Sequence, residues 1–182
     1  INEDFTNNFI FNQKVLGVYS TGSYENDKWG IKLGARVENT DLNTLLETTN
    51  ESNRQNYTNF FPTLHTSYKF SKRYSVQAGY SRRIYRPRLW DLNPFFNVRD
   101  NLNIRTGNPD LTPVFSDSYE LTGILIFDKI SLNASIYHLY ETDIFESISR
   151  FEGDVRITRR ENLGTRGKTG LEINGKYRVT KW

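Results

Sequence analysis

The chain has 182 residues, with 24 Lys and Arg against 21 Asp and Glu and a formal net charge of +3. That near-balance gives no electrostatic argument for a nucleic-acid partner, and the absence of cysteine excludes a disulfide framework and a thiolate metal site. Hydrophobic residues make up only 36%, and no run approaches the roughly 20 apolar residues of a membrane helix, yet aromatics reach 14% with 11 Tyr, 12 Phe and 3 Trp. Few aliphatics and many aromatics suit a sheet that is polar on one face and belted with aromatic rings on the other. The chain starts at Ile1 with no signal-peptide pattern and holds no Met, so a processed or excised piece of a longer protein is expected.

In chain order, alternation with period two predicts seven strands at about 9–24, 28–40, 58–70, 74–85, 115–127, 131–151 and 155–180. Trp29–Glu38 divides into Trp29, Ile31, Leu33, Ala35 and Val37 against Gly30, Lys32, Gly34, Arg36 and Glu38. Tyr74–Ser81, Ser131–Tyr140 and Leu171–Val179 divide in the same way, and no segment of similar length repeats at helical spacing. Short turns are expected at Glu25–Asp27, Ser71–Arg73 and Asp128–Ile130, long loops at about 41–57 and 86–114, and a tight tip at Glu152-Gly153-Asp154. Tyr24, Trp29, Phe70, Tyr74 and Phe127 flank the short turns on the apolar face, as an interfacial girdle requires.

The fold class is therefore all-β, an antiparallel meander of about seven long strands forming part of a large transmembrane β-barrel. A soluble β-sandwich explains the alternation equally well, but not strands as long as 131–151 and 155–180. Bacterial single-chain barrels have even strand numbers, and open edges are costly in lipid, so adjoining strands are expected elsewhere.

The stretch Gly107-Asn108-Pro109-Asp110-Leu111-Thr112-Pro113, followed by Ser116-Asp117-Ser118-Tyr119-Glu120-Leu121, resembles a signature of TonB-dependent receptor barrels. Ser81–Phe95, Glu161-Asn162-Leu163-Gly164 and the closing Tyr177–Trp182 are similar to the same family in its Bacteroidetes-type branch. Val114 stands where the motif often carries Glu. Physically, Asn108-Pro109 and Thr112-Pro113 fix φ and remove donors, so this segment reads as a stiff loop with a structural role. The resemblance implies that residues 1–182 are a partial outer-membrane barrel domain without plug, TonB box or closing strand. It also implies a place in the bacterial outer membrane among lipid and lipopolysaccharide. The parent would import a scarce nutrient, such as a metal chelate or oligosaccharide, with the plug domain and the inner-membrane TonB complex as partners. The alternatives are a passive porin-like barrel and a soluble all-β carbohydrate-binding module.

No catalytic constellation is present, and no phosphate-cradling glycine loop. His65 and His138 read as wall residues, so neither an enzyme, a metal site nor a cofactor is expected. The richest segment runs from Arg82 to Arg105, where Arg82, Arg83, Arg86, Arg88, Arg99 and Arg105 face only Asp91 and Asp100, with Tyr85, Trp90, Phe95 and Phe96 interleaved. Guanidinium forks suit carboxylates and phosphates, which makes Arg86, Arg88, Trp90, Arg99 and Arg105 the candidate contacts for a small-molecule ligand. A second reading stands beside it: the arginines hold neighbouring loops and lipopolysaccharide phosphates while the aromatics pack the loop. Arg156, Arg159, Arg160, Arg166 and Lys168 form a further basic cluster that extends the same rim.

Overall fold

A computed structural model describes residues 7–95, 100 and 102–179. The strands are β1 (Phe9–Glu25), β2 (Trp29–Leu46), β3 (Glu51–Lys69), β4 (Tyr74–Tyr85), β5 (Asn103–Thr106), β6 (Val114–Phe127), β7 (Ile130–Glu152) and β8 (Val155–Tyr177), with one helical turn, α1 (Leu89–Leu92). They form one sheet in the order β1-β2-β3-β4-β6-β7-β8-β5. The seven long strands are the expected antiparallel meander. β5 is an addition that alternation does not reveal: it comes from the loop after β4 and pairs parallel with Arg156–Arg159 of β8.

Two of the three short turns are built by side chains standing in for backbone. Asn26 Oδ1 accepts the N–H groups of Lys28 and Trp29 at 2.9 and 2.7 Å, and Ser71 Oγ accepts those of Arg73 and Tyr74 at 3.2 and 3.1 Å. Such local bonds are what Asn and Ser contribute to turns. Above them the rings meet as expected. Trp29, Tyr68, Phe70 and Tyr74 form a continuous run with centroids 4.5, 4.7 and 5.1 Å apart, and the Arg73 guanidinium lies 5.7 Å from the Phe127 ring.

Cross-strand register shows that one face carries the apolar side chains. Leu33 is opposite Leu64, Leu64 opposite Tyr80, Leu121 opposite Ile136, and Ile136 opposite Leu171. The leucines and the isoleucine among them are exposed, Leu171 by 70%, so the apolar side of the sheet lacks a protein cover among the described residues. In β2 the outward apolar row runs from Trp29 to Val37, which matches the 9–11 residues a tilted barrel strand needs to cross a bilayer. The other face is polar, with Lys32, His65, Gln77 and Glu120 lining a groove of about 530 Å³ floored by Gly30 and Gly79.

The expected long loop at 41–57 is not there. β2 continues to Leu46, β3 begins at Glu51, and a tight turn ending at Asn50, φ 57°, joins them. The reason is a reversal of faces. Beyond Val37 the outward residues become Asn39, Asp41 and Asn43, whereas the inward Thr40, Leu42, Thr44 and Leu46 are buried. The strand has left the apolar band, so water lies outside it and protein lies inside.

Pro62 marks a second break. β3 pairs with β4 only from Thr63 to Lys69, and above Pro62 its β4-side edge is released, as the missing N–H requires. The expected loop at 86–114 folds into this opening. Leu92 and Leu111 are fully buried in it and pack with Leu42 of β2, flanked by Phe9, Phe11 and Phe145.

Two outcomes follow from this architecture. Leu33→Arg, placed mid-band on the outward face, should cost about 2–4 kcal/mol, while Lys32→Ser on the inward face stays within about 0.5 kcal/mol. Urea unfolding of the full-length barrel in phosphatidylcholine vesicles measures both. Gly107 approaches the Asn93 backbone so closely that an added Cβ would overlap Asn93 O and lie 2.7 Å from its N. Gly107→Ala should therefore loosen the loop without unfolding the sheet, read as faster amide exchange at residues 107–111 and unchanged exchange in β6 and β7.

Candidate functional site

The loop between β4 and β6 is held at both sides of the sheet. As the chain leaves β4, Arg86 turns back to β2, where its Nη2 donates to Glu38 Oε2 at 2.7 Å and Thr40 Oγ1 at 3.1 Å. Both partners are inward-facing, and only 19% of the Arg86 side chain and 12% of the Glu38 side chain are exposed. A charge pair this sheltered is weakened little by solvent. At this pair lie four buried polar atoms with no hydrogen-bond partner among the described residues: Arg86 Nε itself, Gln13 Nε2, Tyr57 OH and Asn59 Nδ2.

α1 begins at Arg88, whose N–H donates to Asp91 Oδ2 at 3.0 Å, and Arg160 closes on the other oxygen, Asp91 Oδ1. The single turn sets Leu92 inward and Trp90 outward, 80% exposed. The chain then returns alongside itself. Gly107 N–H donates to Asn93 O at 2.9 Å, Asn108 N–H to Asp91 O at 2.7 Å, and Thr106 Oγ1 to Pro94 O at 2.6 Å. Asp100 accepts from the Leu102 N–H and the Asn103 side chain, which hold its carboxyl below the usual carboxylate range.

The Gly107–Pro113 motif fastens this body to its surroundings. Gln55 Nε2 donates to Pro109 O at 2.8 Å and Leu111 O at 3.2 Å, while Asn53 Nδ2 donates to Asp110 Oδ1 at 2.9 Å, which ties the loop to β3. Across the sheet, buried Asn108 donates to Arg160 O, and Asn162 both accepts from Thr112 N–H and donates to Thr112 O, each at 2.9 Å. The structural role expected of this stiff segment is what these contacts describe.

The five candidate residues do not converge on one pocket. Arg86 is the anchor on the wall. Arg88, just before α1, and Trp90 within it are both exposed, and the Arg88 guanidinium lies 5.7 Å from the Tyr85 ring. Arg105 is exposed on β5, and Arg99 lies outside the described residues. A cavity of about 390 Å³ opens between the loop and the β2–β3 tip, lined by Phe9, Thr44, Asn53, Pro94, Asp110 and Arg159 and by none of the five. Sequence reading places Asn108 in the stiff loop but gives no contact to its side chain, nor to those of Gln55 and Asn162. Their signal was faint, since a side-chain amide facing a backbone edge some 50 residues away leaves no local pattern.

Solved structures share this fold. The chain aligns over 93% of its length with the FrpB iron transporter from Neisseria meningitidis, F3-3 variant, at 14% identity and a TM-score of 0.68. It aligns over 94% with the copper transporter OprC, at 15% identity and a TM-score of 0.71. A double mutant of the Serratia marcescens hemophore receptor HasR, in complex with its hemophore HasA and heme, aligns over 93% at 13% identity and a TM-score of 0.73. The chain spans only 24%, 27% and 32% of those three proteins. No curated protein matches it. The model of one protein family, described as the outer membrane protein beta-barrel family, matches residues 1–182. With its apolar outward band, aromatic girdle and polar inward face, the chain belongs to the outer membrane protein β-barrel family, and its place is the bacterial outer membrane.

Proposed function

We propose that this chain is the wall and outer rim of a TonB-dependent receptor that imports a scarce nutrient, such as a metal chelate or an oligosaccharide. A plug domain and the inner-membrane TonB complex, supplied by the rest of the parent, provide gating and energy. The chain itself carries no catalytic role. The observation that supports this reading is the loop after β4. A passive pore needs only flexible connections at its mouth, whereas this loop has a buried apolar centre and clamps to β2, β3 and β8. The same framework leaves Trp90 80% exposed with Arg88 beside it.

In this reading Arg88 and Trp90 are ligand contacts, because an exposed indole and an exposed guanidinium two residues apart suit flat or hydroxylated ligands bearing negative charge. Arg105 contributes charge from β5, and Arg99 adds to the same segment. Arg86 acts differently: it positions the loop through Glu38. The outer-membrane lipid and its lipopolysaccharide surround the wall.

The test is growth of a strain lacking the full-length gene on a ferric chelate, heme or an oligosaccharide as the limiting nutrient. Loss of growth on one of them, restored by the intact gene only while the proton gradient is maintained, is the expected result. Trp90→Ala and Arg88→Ala should then slow initial uptake of that nutrient at least fivefold at unchanged receptor level. Uptake that continues after the gradient is collapsed points to a passive barrel.

A further inference from the structure

The pairing of β5 with β8 assembles a surface that neither segment carries alone. Two rows cross β7, β8 and β5. In the first, Phe151 faces Arg156 and Arg156 faces Asn103; in the second, Ser149 faces Thr158 and Thr158 faces Arg105. Residues in register project from the same side of a sheet, so Phe151, Arg156 and Arg105 share one face. Phe151 is 72% exposed, and both arginines are exposed. On the opposite side of these strands, Thr106 and Arg159 line the 390 Å³ cavity.

The other arginines of this hairpin are engaged. Arg150 and Arg159 reach Glu161, Arg160 reaches Asp91, and Arg166 reaches Glu141. Arg105 and Arg156 have no acidic partner among the described residues. Nearby Asp100 is turned onto Leu102 N–H and the Asn103 amide. Two like charges held diagonally on neighbouring strands repel, and a hairpin that pairs its other arginines leaves these two open beside an exposed ring.

We propose that this platform is an anion-binding site, which takes carboxylate or phosphate groups between Arg105 and Arg156 and lays a flat apolar part of the ligand on Phe151. Guanidinium forks match both anions. Height above the membrane selects the source. Apolar outward residues of β8 end near Leu171, and Arg156 lies 15 residues further along the strand. At roughly 3.3 Å per residue and a tilt of about 45°, that is on the order of 35 Å beyond the band, out of reach of lipid headgroup phosphates. The ligand therefore comes from the medium, as a multiply charged aromatic carboxylate or a similar acid. The height above the membrane rests on the barrel fold. Binding is measured without transport, so a receptor that fails to import still reports on this site.

The experiment is calorimetric titration of the purified full-length receptor in detergent with benzene-1,3,5-tricarboxylate, citrate and pyrophosphate. Heat-modifiable migration on gels confirms that each variant is a folded barrel. All three anions should bind, with the aromatic acid the tightest. Arg105→Ala and Arg156→Ala should each weaken binding at least fivefold. Phe151→Ala should weaken the aromatic acid while sparing pyrophosphate, and Arg150→Ala should change affinity less than twofold. Folded wild type that binds none of the three overturns the proposal, as does an Arg105→Ala/Arg156→Ala double variant that binds like wild type. If lipopolysaccharide vesicles bind through these arginines and soluble anions do not, the assignment to a soluble ligand is wrong.

Discussion

A strand that runs from lipid into water has to change which face is apolar, and much of this structure follows from where that change occurs. Within the membrane the outward side chains must be apolar, and every backbone group must be bonded inside the sheet, because lipid offers neither donors nor acceptors. Past Val37 the outward demand disappears, and Asn39, Asp41 and Asn43 take those positions. The inward positions then become the only place to build a core. Leu42 and Leu46 occupy them, with Phe9 and Phe11 on β1, and the loop after β4 brings Leu92 and Leu111 to meet them.

That core is small, and magnitudes show what else fixes the loop. A fully buried leucine contributes about 1.5–3 kcal/mol, while a buried polar group without a partner costs about 1–3 kcal/mol. The three leucines of this cluster are set against four buried polar atoms, Arg86 Nε among them, that have no partner among the described residues. Apolar burial alone therefore does not decide the loop's position. Directional contacts do: Gln55 on Pro109 and Leu111, Asn162 on Thr112, Arg160 on Asp91 and Arg86 on Glu38. The prolines of the motif support them by limiting the alternatives open to the free chain.

The reversal of faces also explains what the sequence concealed. Trp29–Val37 announces itself because lipid makes its alternation strong. Glu38–Leu46 alternates in burial, but its inward row mixes Thr40 and Thr44 with Leu42 and Leu46 and its outward row ends on Leu45, so a reader following one apolar face sees the strand stop. β5 is only four residues long and parallel to a strand some 50 residues later, and a pairing of that kind leaves no local periodicity. Leu92 and Leu111 are isolated apolar residues in a polar loop, visible as a core only once Leu42 stands between them. Arg86 was read with its neighbours as part of a basic rim. Its partner Glu38 is 48 positions away, and nothing in the order of residues separates an arginine that holds a wall from one that waits for a ligand.

The edges of the sheet carry the argument beyond the chain. Among the described residues, β1 and β8 each pair with a long neighbour on one side only, and β8's second side is met by β5 solely at Arg156–Arg159. The β8 edge from Thr165 to Tyr177 therefore presents donors and acceptors at the level of the apolar band, where each unsatisfied group costs several kcal/mol. Another strand must lie against it, and another against β1. Because β5 already occupies the outermost part of β8, that neighbour can pair only below Arg156–Arg159. The loop strand thus sets the height at which the next strand must leave the wall, and leaves the face of Phe151, Arg156 and Arg105 open above it. A loop that began as a connection between β4 and β6 ends as part of the barrel's outer rim, next to strands it does not follow in sequence.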